Sequence, residues 1–457
     1  IYVYKFSDPT YERIIVESRV NPGSLFGSGL IVTGDYIIAS AYGYNHYQGK
    51  MFVYKLSDES YSREIVGEGT AVDSYFGIKF SVTDNYLVVS AHGYDSFRGA
   101  IYVYKLNDSL YERRILASNG SAGDRFSHSY MISGNYLYVV SPTYNSAQGA
   151  VYVYKFNNEV FERRIVGTGT VNNDVFGSQI IISGDYILIP CVNHNMYQGV
   201  LYIYKTSDEG YERMITGANT GDFSFFSEKT LISDDYIIVS ASGYDNYRGT
   251  VYIYKFSDIT YERQILAPDG SQGDHFSGRI AVRDDYIISS SPNYDGYRGK
   301  IYIYKTTDEA YERMLTKENP MAFDQFGESF SFHDNYLVVQ HYFYNGSEGM
   351  LAIYDLTNEN YQRNIYSPTD PEEKNSFGQL ISYNGDNLIV GLWSANENRG
   401  AMCIYDFTDD TYFRMITASD GEPGEDFGYN FAKTEDYLVI CSYNYNNYQG
   451  KIYIVNI

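Results

Sequence analysis

The chain has 457 residues, 53 of them tyrosine, with an apolar share of 44% and a charged share of 20%. That is the composition of a folded chain and not of a disordered one. A formal net charge of −23 argues against a general nucleic-acid binder or an anionic-membrane binder, since both need positive charge against phosphate.

No apolar run approaches the roughly 18–20 residues of a membrane span, so no membrane insertion is expected. Three cysteines, Cys191, Cys403 and Cys441, write no disulfide framework and read as small buried hydrophobes. The chain opens on Ile1 with no signal-like segment, which leaves a removed leader or a window from a longer chain as readings.

The first predicted element is a short apolar strand, Ile1-Tyr2-Val3-Tyr4, followed by a second at Tyr11–Val16. From there the chain is a repeat. A Phe recurs at 26, 76, 126, 176, 226, 276, 326, 377 and 427, each followed by Gly or Ser. A short polar residue stands two places before it, as at Asp124, Asp174, Asp274, Asp324 and Glu425.

Within a unit the Phe heads an alternating segment such as Phe76, Ile78, Phe80, Val82. A turn with Asp or Asn before an aromatic follows, as in Gly34-Asp35-Tyr36, then an apolar run such as Leu87-Val88-Val89. Asp35, Asp185, Asp235 and Asp285 read as turn residues bonding their own backbone. A loop rich in Tyr, Asn and Gly leads to Gly49, Gly99 or Gly149, then to a strand such as Ile101-Tyr102-Val103-Tyr104. The last segment is Tyr-Glu-Arg-x-Ile, as in Tyr111 to Ile115.

Alternation and β-branched or aromatic runs bounded by Gly, Asn and Asp predict four strands per unit and essentially no helix. The second and third strands are apolar on both faces, which requires a sheet covered on both sides. Four-stranded sheets stacked face to face provide that.

Gly123-Asp124-Arg125-Phe126-Ser127, Gly424-Glu425-Asp426-Phe427-Gly428 and the Gly-x-Ile-Tyr-Val-Tyr strand resemble the FG-GAP repeat of integrin α-chain propellers and many surface proteins. The resemblance runs through all nine units and implies an all-β fold: a β-propeller or propeller-like array of nine four-stranded repeats of about 50 residues, one repeat domain over 1–457. It also implies an extracellular or cell-surface location. The Asp-x-Asp-x-Asp-Gly loops of the integrin-type blade are absent, as at Val32-Thr33-Gly34-Asp35, so no calcium site, other metal or cofactor is carried over.

The ends are uneven, with nine Phe units but ten copies of the third strand. Edge segments 1–6 and 452–457 hold the extra copy, with Ile1, Tyr2, Val3 and Tyr4 at one end and Ile452, Tyr453 and Ile454 at the other. Three readings follow. The segment around Tyr11–Val16 completes the last sheet, the sequence is a window from a longer array, or an end strand pairs with a neighbouring molecule and builds a filament.

No nucleophile–base pair or phosphate loop appears, and the histidines at 46, 92, 128, 194, 275, 333 and 341 lack metal-ligand spacing. No catalytic residue is assigned. An Arg on the fourth strand of every unit, from Arg13 to Arg414, reads as an edge residue paired with a carboxylate. Asp355, Asn387, Ala395 and Trp393 form the least regular patch and read as drift.

The loop residues Tyr44, Asn45, Tyr94, Tyr144, Tyr244, Tyr294, Tyr344 and Tyr445 have the Tyr/Asn composition of recognition surfaces, and equally suit packing between sheets. The expected function is therefore a non-catalytic structural or adhesive protein, binding other surface proteins or itself. The alternative is a lectin-like propeller binding glycan through these loops.

Overall fold

The computed structural model describes residues 12–456 apart from 59, 109, 111, 158, 159, 259, 309–311, 318, 342, 343, 345–348, 360, 361, 369–376, 408–411, 435 and 436. The strands form nine four-stranded antiparallel sheets, the blades of an all-β propeller. Two compact units are distinguished: a first of residues 1–129, 345–349 and 366–457, and a second of 130–344 and 350–365.

Each sheet is a meander in chain order. In the first, Leu30–Thr33, Tyr36–Ala41, Lys50–Lys55 and Ser62–Ile65 follow one another. Thr33 faces Tyr36 across a two-residue hairpin turn. Such turns need positive φ at their first residue, which Gly34 or Asp84 supplies. Asp35 does not bond its own backbone, as the sequence suggests. Its carboxylate accepts the Ser57 N–H at 2.7 Å and the Ser57 hydroxyl, tying the first hairpin turn of the sheet to the last.

The ninth sheet departs from chain order. Its outer strand is Glu12–Ile15, antiparallel to Lys451–Asn456. Lys451–Asn456 in turn pairs with Tyr437–Ser442 on its other side. Ile452, Tyr453 and Ile454 thus lie inside their own sheet, bonded on both sides and fully buried. Of the three readings of the ends, this is the one in which the N-terminal segment completes the last sheet. Ile1, Tyr2, Val3 and Tyr4 lie outside the described residues.

The core lies between successive sheets. Ile38, Met51, Val53 and Ile65 of the first sheet pack against Phe76, Leu87, Val89, Tyr102 and Tyr104 of the next. Both faces of the middle strands are covered in this way, which explains their unbroken apolar runs. All nine repeated Phe residues are buried. Phe76 meets Tyr102 edge-to-face at 5.3 Å between ring centroids, and Phe176 meets Tyr202 at 5.2 Å.

The Phe does not usually begin the first strand. The chain reverses at Gly77 (φ 87), Ile78 is 39% exposed, and the strand starts at Phe80. In Phe226–Ser233 and Phe427–Lys433 alone among the described first strands, the strand does start at the Phe, through an irregular register.

Candidate functional site

After the second strand, each of eight described repeats makes a four-residue turn, as at Tyr44–Tyr47, Tyr94–Phe97 and Tyr445–Tyr448. These turns are left-handed: φ is 48°, 55° and 61° at Asn45, His46 and Tyr47. L-residues rarely hold this conformation in succession, so something must fix it. The Asn45 amide donates to Gln48 Oε1 at 2.7 Å, and the Gln48 amide donates to the Thr70 carbonyl at 2.8 Å. Asn145 and Gln148, Asn195 and Gln198, and Asn446 and Gln449 repeat the pair at 2.8, 2.6 and 2.6 Å. Where the second residue is Asp, the fifth is Arg: Asp95–Arg98, Asp245–Arg248 and Asp295–Arg298 lie at 3.8, 3.9 and 2.7 Å.

The left-handed turn aims successive carbonyls at the next repeat. Asp73, Tyr75 and Phe76 donate their N–H groups to His46, Tyr47 and Gln48 at 3.0, 2.7 and 3.2 Å. In the second unit Phe223, Phe225 and Phe226 donate to Met196, Tyr197 and Gln198 at 3.0, 2.8 and 3.0 Å. Gly23, Leu25 and Phe26 donate to Asn447, Tyr448 and Gln449 at 2.9, 2.8 and 3.0 Å, so the ninth repeat grips the first in the same way.

Six of the eight described turns open on a predicted loop tyrosine and the other two on His194 and Ala395; these six tyrosines and Tyr344 are half-buried. Several pack on the core between two successive sheets, and most meet a basic side chain. Lys50 Nζ stands 3.9 Å from the Tyr44 ring, Arg114 5.3 Å from Tyr94 and Arg164 4.9 Å from Tyr144. Tyr294 lies 4.9 Å from Lys300 and donates its hydroxyl to Asp269 at 3.0 Å. Lys317 and Lys451 reach Tyr344 and Tyr445 at 4.8 and 4.4 Å, and Tyr244 joins the core between two successive sheets. Asn45 holds the turn.

The outward rings are the residues that close the turns, which the sequence reading did not single out. Tyr47 and Tyr448 are 42% and 49% exposed. In the first unit they join a ridge. Trp393 meets Tyr429 at 6.2 Å, Tyr429 stacks on Tyr443 at 4.7 Å, and Tyr443 meets Tyr448 at 5.7 Å. Tyr42 stacks on Tyr47 at 6.3 Å, Tyr47 on Tyr75 at 5.3 Å and Tyr75 on His92 at 5.0 Å. The two runs adjoin, since burial and the neighbouring phenols of Tyr47 and Tyr429 push the Tyr42 hydroxyl up.

The second unit has shorter stacks: Tyr197 on Phe223 at 5.8 Å, Tyr247 on His275 at 4.8 Å and Tyr297 on Phe323 at 5.5 Å. Beside one of them lies an open hollow of about 430 Å³, walled by the Phe223 and Tyr247 rings with Asn219, Asp222, Asp245 and Asn246.

One arrangement has the residue types of nucleophilic chemistry. His194 Nδ1 lies 2.8 Å from Asp174 Oδ2, and the Cys191 thiol donates to the Asp174 carbonyl at 3.3 Å. Cys191 is fully buried, and desolvation raises its pKa, so the thiol stays protonated and inert. Cys403 and Cys441 are also buried and free. The recurrent Arg does not end on an exposed edge. Arg63, Arg163 and Arg213 each reach the next sheet and donate to the carbonyls of Lys105, Lys205 and Lys255 at 2.6, 2.6 and 3.0 Å. No helix among the described residues is long and apolar enough to cross a membrane.

No curated protein matches the chain. Residues 111–154 match the FG-GAP repeat, whose propeller form points to protein interaction. That stretch holds the buried Phe126 and all but the last residue of the strand Ala150–Lys155, and the same parts recur in the eight other sheets. Residues 111–154 therefore carry an FG-GAP repeat, and the repeats of the chain fold as the nine blades of a β-propeller.

Proposed function

We propose that the protein is a non-catalytic, extracellular adhesive or structural propeller whose protein contacts are made by the aromatic ridge of the first unit. The ridge carries this reading. Rings from Trp393 to His92 meet face to face or edge to face in two runs while keeping part of their surface in water. Rigid aromatic rings are the side chains that most often anchor protein interfaces. The ridge residues are not needed to hold the turns, which Asn45, Gln48 and the backbone already fix. Partners are other surface proteins or further copies of the chain.

A labelled full chain is applied to cells before and after protease treatment, and its mass is measured over a concentration range. Binding that is lost on protease treatment and in Tyr47→Ala/Tyr429→Ala, or a mass that rises with concentration only in the parent, supports the ridge. Binding and mass unchanged by the double variant defeat it.

The hollow of the second unit favours a second reading, glycan binding. Two ring walls with two amides and two carboxylates at the rim suit a sugar face and its hydroxyls. A glycan array with Tyr247→Ala as control tests it, and equal signals from parent and variant reject it.

A further inference from the structure

At one end of the ridge, four basic side chains converge in a chain that is otherwise strongly acidic. Lys79 precedes the strand Phe80–Thr83, His92 follows the strand Tyr86–Ala91, and Arg125 and His128 flank Phe126. The His92 ring lies between the face of Tyr75 at 5.0 Å and the edge of His128 at 5.5 Å. Arg125 extends over the Phe97 ring, with its guanidinium carbon 5.2 Å from the centroid. Charges of Lys79 and Arg125 act on both imidazoles, and no carboxylate does.

These groups lack partners that several other cations of the chain have. Nδ1 of His92 and Nδ1 of His128 are each shut off from solvent without a hydrogen bond. Among the described residues no carboxylate lies within ion-pair distance of Lys79 or Arg125, whereas Arg98, Arg248, Arg298 and Lys50 all have one. Lys79 and Arg125 are exposed and carry no ion pair among the described residues, and the half-buried imidazoles lie beside them. An oxyanion at this place pairs with the two cations and favours a proton on the rings.

We propose that Lys79, His92, Arg125 and His128 form a recognition site for an oxyanion, carried by an acidic side chain of the protein partner that lies on the ridge. The choice of partner rests on the protein-binding reading above, while the site itself rests only on the four side chains. Stacked Tyr75 and Tyr47 continue directly from His92, so an acidic residue beside an apolar one engages both at once. Without ligand, desolvation and the cationic neighbours hold His92 down to about 4 and lower His128 as well. Both rings are then neutral at pH 7. A bound anion favours their protonated forms, so affinity strengthens as the pH falls, by up to about tenfold per pH unit for each proton taken up.

The full chain, isotope-labelled at histidine, is titrated by NMR with sodium sulfate and separately with tetraglutamate, at constant ionic strength set by sodium chloride. Both ligands are expected to raise the pKa of His92 and His128 and to leave that of His275, in the second unit, in place. The double variant Lys79→Ser/Arg125→Gln removes the effect. It should fold, because Ser329 and Gln325 hold the equivalent places in the seventh repeat and Gln325 adopts the same positive φ as Arg125, 48° against 52°. A response to sulfate but not to tetraglutamate overturns the acidic-peptide assignment. No response to either overturns the site and leaves the ridge to its own test.

Discussion

The two compact units share one scaffold and differ in what they display on it. In the first unit, the residue after the second strand is Tyr42, His92, Trp393 or Tyr443; in the second it is Pro142, Val192, Ser242 or Pro292, with a ring only at Tyr342, which lies outside the described residues. The residue just before the repeated Phe varies within both, being Leu25, Tyr75, Arg125 or Asp426 in one and Val175, Phe225, His275 or Gln325 in the other. Beneath these differences the left-handed turns and their hydrogen bonds to the next repeat are alike. Peptide groups carry that grip, so side chains at these phases are released from holding the fold. A ridge with a basic end has been built on one unit and an acidic hollow on the other at no structural expense.

If the scaffold is shared, equivalent core changes should cost the same in both units. Phe76→Ala and Phe176→Ala each remove a fully buried ring set edge-to-face on a tyrosine, and each should cost roughly 3–5 kcal/mol. Denaturant titration of the two variants measures this. Unequal losses would mean that one unit relaxes around the cavity and the other does not.

The grip between repeats is tested next. Gly99 and Gly249 have φ of 88° and 82°, and a Cβ on either would come within 1.8 Å of a Phe carbonyl oxygen in the next repeat. Ala at either site should destabilise by about 2–3 kcal/mol through backbone strain and the displaced strand. Thermal unfolding that is unchanged in either variant would show that this grip is dispensable there.

Acid should weaken both units, since burial holds His92 in the first down to about 4 as well. In the second, His341 is buried beside Lys317, Asp324, Phe326 and Tyr344, and desolvation lowers its pKa to about 4. An unfolded histidine titrates near 6.5. The unfolded chain therefore takes up a proton first, and stability present above pH 6.5 is lost as the pH falls toward 4. The loss at pH 5 should be about 2 kcal/mol. His341→Ser, the residue found at positions 141, 291 and 442, should lower stability at pH 7 yet flatten the slope between pH 6.5 and 4. A parent-like slope in the variant would assign the acid response elsewhere.

The scaffold was legible in the sequence because it repeats. Phe at fixed spacing, doubly apolar strands and Tyr-Glu-Arg edges impose the same burial nine times, and even the use of the segment near Tyr11 as the last outer strand could be foreseen. The display was not legible, since comparing repeats draws the eye to what stays constant and the rings sit where residues vary. Tyr44 was singled out for constancy, and constancy there reflects packing on Lys50 and the sheet. His92 and His128 occupy different phases of successive repeats, so only folding brings them to 5.5 Å. The left-handed turns did leave a readable sign: Asn goes with Gln three residues on in four repeats, and Asp with Arg in three.

The smallest effect should come from removing calcium, and it should be equally small in both units. The hairpin-turn carboxylates are the groups an integrin-type blade would offer to a cation. Here Asp35 in the first unit accepts hydrogen bonds from Ser57, and Asp185 and Asp235 in the second accept them from Ser207 and Ser257. The Ser207 and Thr206 hydroxyls hold Asp185 below the usual carboxylate range, so it remains an ionised acceptor spent on its own sheet. A cation bound there would have to displace these hydrogen bonds, and among the described residues no three His, Cys, Asp or Glu side chains gather to repay the loss. Thermal unfolding in calcium and in chelator should therefore coincide. A drop of many degrees on chelation would show that the turns do hold metal, and a drop confined to one transition would show that the two units differ in scaffold as well as in display.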